Sequence, residues 1–132
     1  MNIAIIIVIV LLLCVAGFYY FKKAQGKLSN YTPKEVYERI KAGKQVVLLD
    51  VRAGYERKKA YLDNSIHIPM QEIDSKLEEL NGNKDKEIIV YCAVGGRSVV
   101  VAAHLQKLGY KVGNMTGGIK RWINEELEYK SG

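Results

Sequence analysis

A chain of 132 residues with 20 basic and 14 acidic side chains, net charge +6, has room for one ordinary domain and a short appendage, but not for two cores. Its two cysteines and two histidines share no ligand-like spacing, which argues against a zinc module, a disulfide-stapled scaffold or any bound metal. The basic residues are spread along the chain with no aromatic-interleaved stripe, so no nucleic-acid partner is expected, and no cofactor is indicated.

Charge is absent from residues 1–21. Residues 3–21 (IAIIIVIVLLLCVAGFYYF) are apolar throughout, and as a helix they would be about 28 Å long against a hydrocarbon core of about 30 Å. Tyr19, Tyr20 and Phe21 stand where aromatic rings favour the headgroup level, and Lys22, Lys23 and Lys27 follow. A cleaved signal would want basic residues before the run and small residues at a cleavage site; Met1 and Asn2 are not basic, and YYFKKAQ follows. Cys14 lacks the small neighbour that a lipidated cysteine needs, because residues 11–13 are all leucine. The expectation is an uncleaved anchor over 1–21 in contact with the bilayer through 3–21. The flanking lysines place the following domain in the cytoplasm.

Residues 22–31 read as a polar tether, and 32–130 as the folded domain. Thr32-Pro33-Lys34-Glu35 offers an N-cap, a proline at the first helical position and a closing glutamate. Val36, Tyr37 and Ile40 form the apolar face of that helix, and Gly43 stops it. Residues 45–50 (QVVLLD) and 87–92 (EIIVYC) are short apolar runs, the pattern of strands buried on both faces. Between them the pattern predicts a helix over 54–61, with Arg57, Lys58 and Lys59 on a solvated face, and a short strand over 66–68. Met70, Ile73, Leu77 and Leu80 predict a second helix over 70–80. Helix 97–108, strand 111–115 and helix 118–126 complete the alternation. The expected class is α/β, a mainly parallel sheet flanked by helices.

Cys92 falls at the carboxyl end of a strand, where open parallel sheets bind ligands. Ala93, Val94, Gly95, Gly96, Arg97 and Ser98 follow it. The two glycines let the backbone curl so that successive N–H groups face inward as an anion nest. The helix beginning near Arg97 adds its positive end, and Arg97 adds a cationic side chain. Each influence favours thiolate over thiol, so the sulfur can act as a nucleophile without a general base. A merely structural buried cysteine would need neither the glycines nor the arginine.

Cys92-Ala93-Val94-Gly95-Gly96-Arg97-Ser98 resembles the C-x-x-G-x-R-S active-site loop of rhodanese domains. Leu49-Asp50-Val51-Arg52 with Glu56, and Met115-Thr116-Gly117-Gly118-Ile119 with Trp122, resemble two further segments of that family, in the same order along the chain. The resemblance implies a five-stranded parallel sheet between helices. It also implies sulfur transfer through a Cys92 persulfide, with the amides of 93–97 cradling the anion. Asp50, Arg52 and Glu56 are expected as a supporting strand-end hydrogen-bonded group, and Trp122 as core.

The chain departs from the family in two places. Ala60-Tyr61-Leu62-Asp63-Asn64-Ser65 stands where the family has Gly-His-Ile-x-Gly-Ala, so that segment is expected to pack differently. Ala93 and Val94 are neutral where members efficient with thiosulfate carry basic residues, which favours a small-molecule or protein persulfide as donor. A cysteine phosphatase would need five residues between Cys and Arg, one more than the four here, 93–96. The non-enzymatic alternative is a tethered binding module on the same scaffold. No sequence feature assigns an oligomeric state.

Overall fold

The computed structural model describes residues 1–24 and 26–132. Helix α1 (Ile3–Ala24) carries the apolar run, and 0% of its most apolar window is buried inside the protein. Its segment Ile3–Lys23 is long and apolar enough to cross a membrane.

The domain is a five-stranded sheet in the order β1-β5-β4-β2-β3, with every pairing parallel. The strands are β1 (Ser29–Tyr31), β2 (Val46–Asp50), β3 (Ile66–His67), β4 (Glu87–Tyr91) and β5 (Val112–Met115). Helices α2 (Pro33–Lys41), α3 (Gly54–Lys59), α4 (Glu78–Asn81), α5 (Gly96–Lys107) and α6 (Gly118–Asn124) connect and cover them. Parallel pairing requires each crossover to return along a face of the sheet, and so both faces are covered.

Alternation along β4 divides the core. Ile88, Val90 and Cys92 pack with Leu49, Ile68, Val101 and Leu105 on the face covered by α5. Ile89 and Tyr91 pack with Val36, Leu48, Met115 and Trp122 on the face covered by α2 and α6. Each fully buried aliphatic side chain contributes about 1.5–3 kcal/mol of transfer free energy. Thr32 caps α2 as its sequence predicts, its hydroxyl accepting from the Glu35 N–H at 3.2 Å.

Two expectations are corrected. Part of the polar tether, Ser29–Tyr31, is the edge strand β1, paired with residues 113–115. Being short and exposed it carries no alternation, but the Tyr31 ring packs where any side chain at Gly113 would stand, 2.6 Å from Cε2. The tether also includes Gln25, which lies outside the described residues. The single helix expected over 70–80 is instead two 3₁₀ turns, Met70–Glu72 and Asp74–Lys76, followed by α4. The two tight turns bury Ile73 between them and α4 buries Leu80, so the apolar spacing is satisfied without one continuous α-helix.

Candidate active site

β4 delivers Cys92 to the carboxyl end of the sheet with no exposed surface. The chain then turns through Gly95, at φ 106°, into the first turn of α5. Gly95 N–H donates to the Cys92 Sγ at 3.1 Å and Ser98 N–H at 3.4 Å. The thiol donates to the Ser98 Oγ at 3.4 Å, and that hydroxyl donates to the Gly95 carbonyl at 3.2 Å. Burial pushes the Cys92 thiol up. Once the sulfur ionises, the Ser98 hydroxyl turns to donate to it, and this bond with the amides of Ser98, Gly95 and Val94 outweighs burial and holds the thiol below its ordinary value.

The loop presents its amides to the sulfur because its carbonyls are engaged elsewhere. Ile119 N–H donates to the Cys92 carbonyl at 2.9 Å, and Lys120 N–H to the Ala93 carbonyl at 3.1 Å. These are first-turn donors of α6 that have no partner within their own helix. Gly117 and Gly118, at φ 80° and 62°, bring that turn against the loop. A Cβ on Gly118 would collide with the Cys92 and Ala93 carbonyl oxygens, and one on Gly95 would lie 3.2 Å from the Gly117 nitrogen. Two glycine turns therefore interlock back to back.

Arg97 does not stand as a free charge beside the sulfur. Its guanidinium makes a two-pronged pair with Glu56, at 2.7 and 2.8 Å. Hydrogen bonding from Arg97 holds the Glu56 carboxyl down to about 2, and Arg97 is raised in turn by Glu56. Glu56 also accepts from the Ala53 N–H at 3.2 Å, which fixes it at the first turn of α3. The loop's positive potential thus rests mainly on backbone dipoles.

The end of β2 is built differently. Asp50 is fully buried and accepts from Arg52 Nε at 2.9 Å, Arg52 Nη2 at 2.8 Å, Arg57 at 3.2 Å and the Tyr91 hydroxyl at 3.1 Å. Burial lowers the Arg52 pKa, but its bonds to Asp50 prevail and raise it. Arg52 also donates to the carbonyl of Ala60 at 2.6 Å. The expected trio of Asp50, Arg52 and Glu56 is therefore split, since the Glu56 carboxylate belongs to Arg97 and Arg52 meets only its main-chain carbonyl, at 3.4 Å. Arg57, expected on a solvated face, instead bridges Asp50 to Ser65. His67 Nε2 lies 2.7 Å from the Arg52 carbonyl, and Trp122 is core, its Nε1 donating to the Glu128 carbonyl.

Comparison with known proteins decides the family. The rhodanese-like domain profile matches residues 32–125. The chain belongs to the rhodanese-like domain family. A putative sulfurtransferase of Bacillus subtilis, YtwF, is 36% identical over 88 residues, spanning 67% of this chain and 84% of that protein. The thiosulfate sulfurtransferase GlpE of Coxiella burnetii is 34% identical over 91 residues, spanning 67% and 80%. A crystal structure of a rhodanese-related protein from Thermoplasma volcanium superposes with a TM-score of 0.71 at 33% identity, covering 77% of this chain and 97% of that one. Relatives bearing sulfurtransferase names support a rhodanese-type sulfur-transfer role.

Around this rhodanese loop the surface is apolar. Among the described residues that follow α1, the three most exposed large apolar side chains are Tyr55 at 69%, Val94 at 63% and Val100 at 56%. Val94 lies on the loop, Tyr55 on the first turn of α3 and Val100 on the second turn of α5. The sequence reading missed Tyr91 and Ser65, which join the Asp50 cluster and the 60–65 segment. Tyr91 had a signal, a hydroxyl directly after three aliphatic residues of a buried strand, which demands a buried partner.

Proposed function

We propose that the protein is a membrane-anchored sulfurtransferase in which Cys92 carries the sulfur as a persulfide. The observation that carries this reading is the set of amide donors, Gly95 and Ser98, directed at a sulfur held below its ordinary pKa. The Cys92 thiolate attacks the outer sulfur of the donor. A new S–S bond forms, the donor's own bond to that sulfur breaks, and the departing group keeps the electron pair. The persulfide's terminal sulfur then bears the negative charge, and the amides at 93–97 and the Ser98 hydroxyl receive it. An acceptor thiolate takes that sulfur and returns Cys92 to thiolate, so no proton or external redox partner is consumed. Asp50, Arg52 and Glu56 act through the scaffold, positioning the loop and Arg97.

A persulfide donor fits this site better than thiosulfate. Ala93 and Val94 bring no charge, and the Arg97 cation is already shared with Glu56, so a dianion meets little attraction. The anchor reading rests on the apolar helix, and the cytoplasmic orientation on Lys22, Lys23 and Lys27 at its domain side. A reducing compartment suits a free, reactive thiol.

The test is intact-mass spectrometry of the full chain in detergent after incubation with glutathione persulfide or thiosulfate. The expected result is a gain of one sulfur atom, located at Cys92 and discharged by added thiol. If neither donor loads Cys92, sulfur transfer is excluded and the fold serves as a tethered binding module.

A further inference from the structure

All five strands run in one direction, and β1 is the strand that follows the anchor helix in the chain. The end of the sheet where strands begin is therefore the end from which α1 departs. The segments leading into β2, β4 and β5 lie at that same end. They carry Lys44, then Lys84 and Lys86, then Lys111, with Lys107 closing α5. Lys84 Nζ stands 5.4 Å over the Tyr110 ring, which brings the segment before β4 against the one before β5. A cavity of about 470 Å³ at this end is lined by Phe21 and Lys27 from the anchor side and by Ser29, Glu87, Tyr110 and Lys111 from the domain.

The acidic groups here do not cancel this charge. Glu87 is held by Arg39 at 3.0 Å and by the Tyr31 hydroxyl at 2.8 Å, and Glu125 by Arg121 at 2.9 Å. Glu38, Asp85, Glu78, Glu79 and Glu126 remain, outnumbered by Lys22, Lys23, Lys27, Lys44, Lys84, Lys86, Lys107 and Lys111. These lysines come from four separate stretches of sequence, and only the parallel topology gathers them at one end.

We propose that this lysine-bearing end of the domain docks on the anionic lipid headgroups beside the anchor, with a lipid phosphate seated between Lys27 and Lys111. The proposal rests on the reading of α1 as a membrane span. Its consequence is orientation. Cys92 lies beyond the far end of β4, about 16 Å along the sheet, so the apolar rim around it faces the aqueous phase and takes a water-soluble sulfur partner.

The full chain would be incorporated into lipid nanodiscs of phosphatidylcholine alone or mixed with phosphatidylglycerol, and its lysines acylated by a membrane-impermeant reagent with peptide-level readout. Lys27, Lys44, Lys84 and Lys111 should react about threefold or more slowly in the anionic discs, with the protection lost at high salt. Lys34 and Lys120, on the first turns of α2 and α6 at the opposite end, should not change. The variant Lys44→Glu/Lys84→Glu/Lys111→Glu should lose the protection of Lys27. Equal rates in the two discs overturn the proposal. So does equal protection by inorganic phosphate in neutral discs, which marks a site for the free anion. A chain that never associates with discs refutes the anchor reading itself, a result distinct from equal rates on a chain that does.

Discussion

Two neighbouring strands, β2 and β4, end side by side, and each places a buried anion or incipient anion there. Asp50 is met by side chains: two guanidinium groups and a phenol converge on one carboxylate and occupy both of its oxygens. Cys92 is met by peptide groups: amides of the following turn point at a sulfur that no cation touches among the described contacts. The guanidinium groups are further tied to the Ala60 carbonyl and to Ser65, so the cluster's hydrogen bonds are spent on fixing the backbone. Backbone dipoles are fixed by the fold, carry no counter-charge, and can accept whatever anion occupies their focus. The contrast separates the scaffold from the proposed reaction site on physical grounds.

That contrast breaks most clearly if Cys92→Ser retains sulfur loading. Complete loss of the one-sulfur adduct is expected, with stability changed by less than about 1 kcal/mol, because the same donors satisfy a serine hydroxyl. Asp50→Ala should show the inverse pattern. It leaves Arg52 buried beside no carboxylate and is expected to cost about 3–5 kcal/mol, read from the denaturant midpoint. A loss below about 1 kcal/mol would mean that the cluster is not what holds the end of β2.

The separation of roles was only half legible in the sequence. The Cys92 loop could be read because its determinants are local, a strand-end cysteine followed within a few residues by two glycines and a helix. The partners of Glu56 and Arg57 could not, because both depend on how α3 lies across the ends of β2 and β4, a relation between residues 41 apart in the case of Glu56 and Arg97. Strand β1 escaped for a different reason: three residues on an exposed edge give no periodicity to detect. The helix expected over 70–80 failed because apolar spacing of three and four residues fits successive 3₁₀ turns equally well. Gly117 and Gly118 are marked in the sequence only by the family resemblance, because their physical role depends on the loop carbonyls packed beside them.

Those glycines yield a smaller effect than Asp50 that tests whether the two strand ends are independent. Gly118→Ala forces a Cβ toward the Cys92 and Ala93 carbonyls from a left-handed backbone, φ 62°. A stability loss of about 2–3 kcal/mol is expected. The alkylation profile of Cys92 should also shift to higher pH as the loop amides turn away. Cys14 is the other free thiol, so the measurement needs a Cys14→Ser background or peptide-level readout. A stability loss with an unmoved profile would show that the amides do not set the ionisation of the sulfur.

The smallest effect concerns Glu56, the residue that links the two ends. Its pKa falls from 4.5 to about 2 on folding, chiefly through Arg97. A depressed carboxylate stabilises the fold above its unfolded pKa and loses that contribution as pH falls through the folded one. The stability gap between the native chain and Glu56→Gln should therefore be full at neutral pH and close between about pH 4.5 and 2. Partial exposure of the pair screens it, so the gap should stay near or below about 1 kcal/mol. The thiol responds in the opposite sense. Removing the Glu56 charge leaves Arg97 uncompensated, and alkylation of Cys92 at a pH below its midpoint should quicken about two- to fivefold. An unchanged rate would mean that Arg97 serves the loop only as a tether, and that backbone amides alone govern the sulfur.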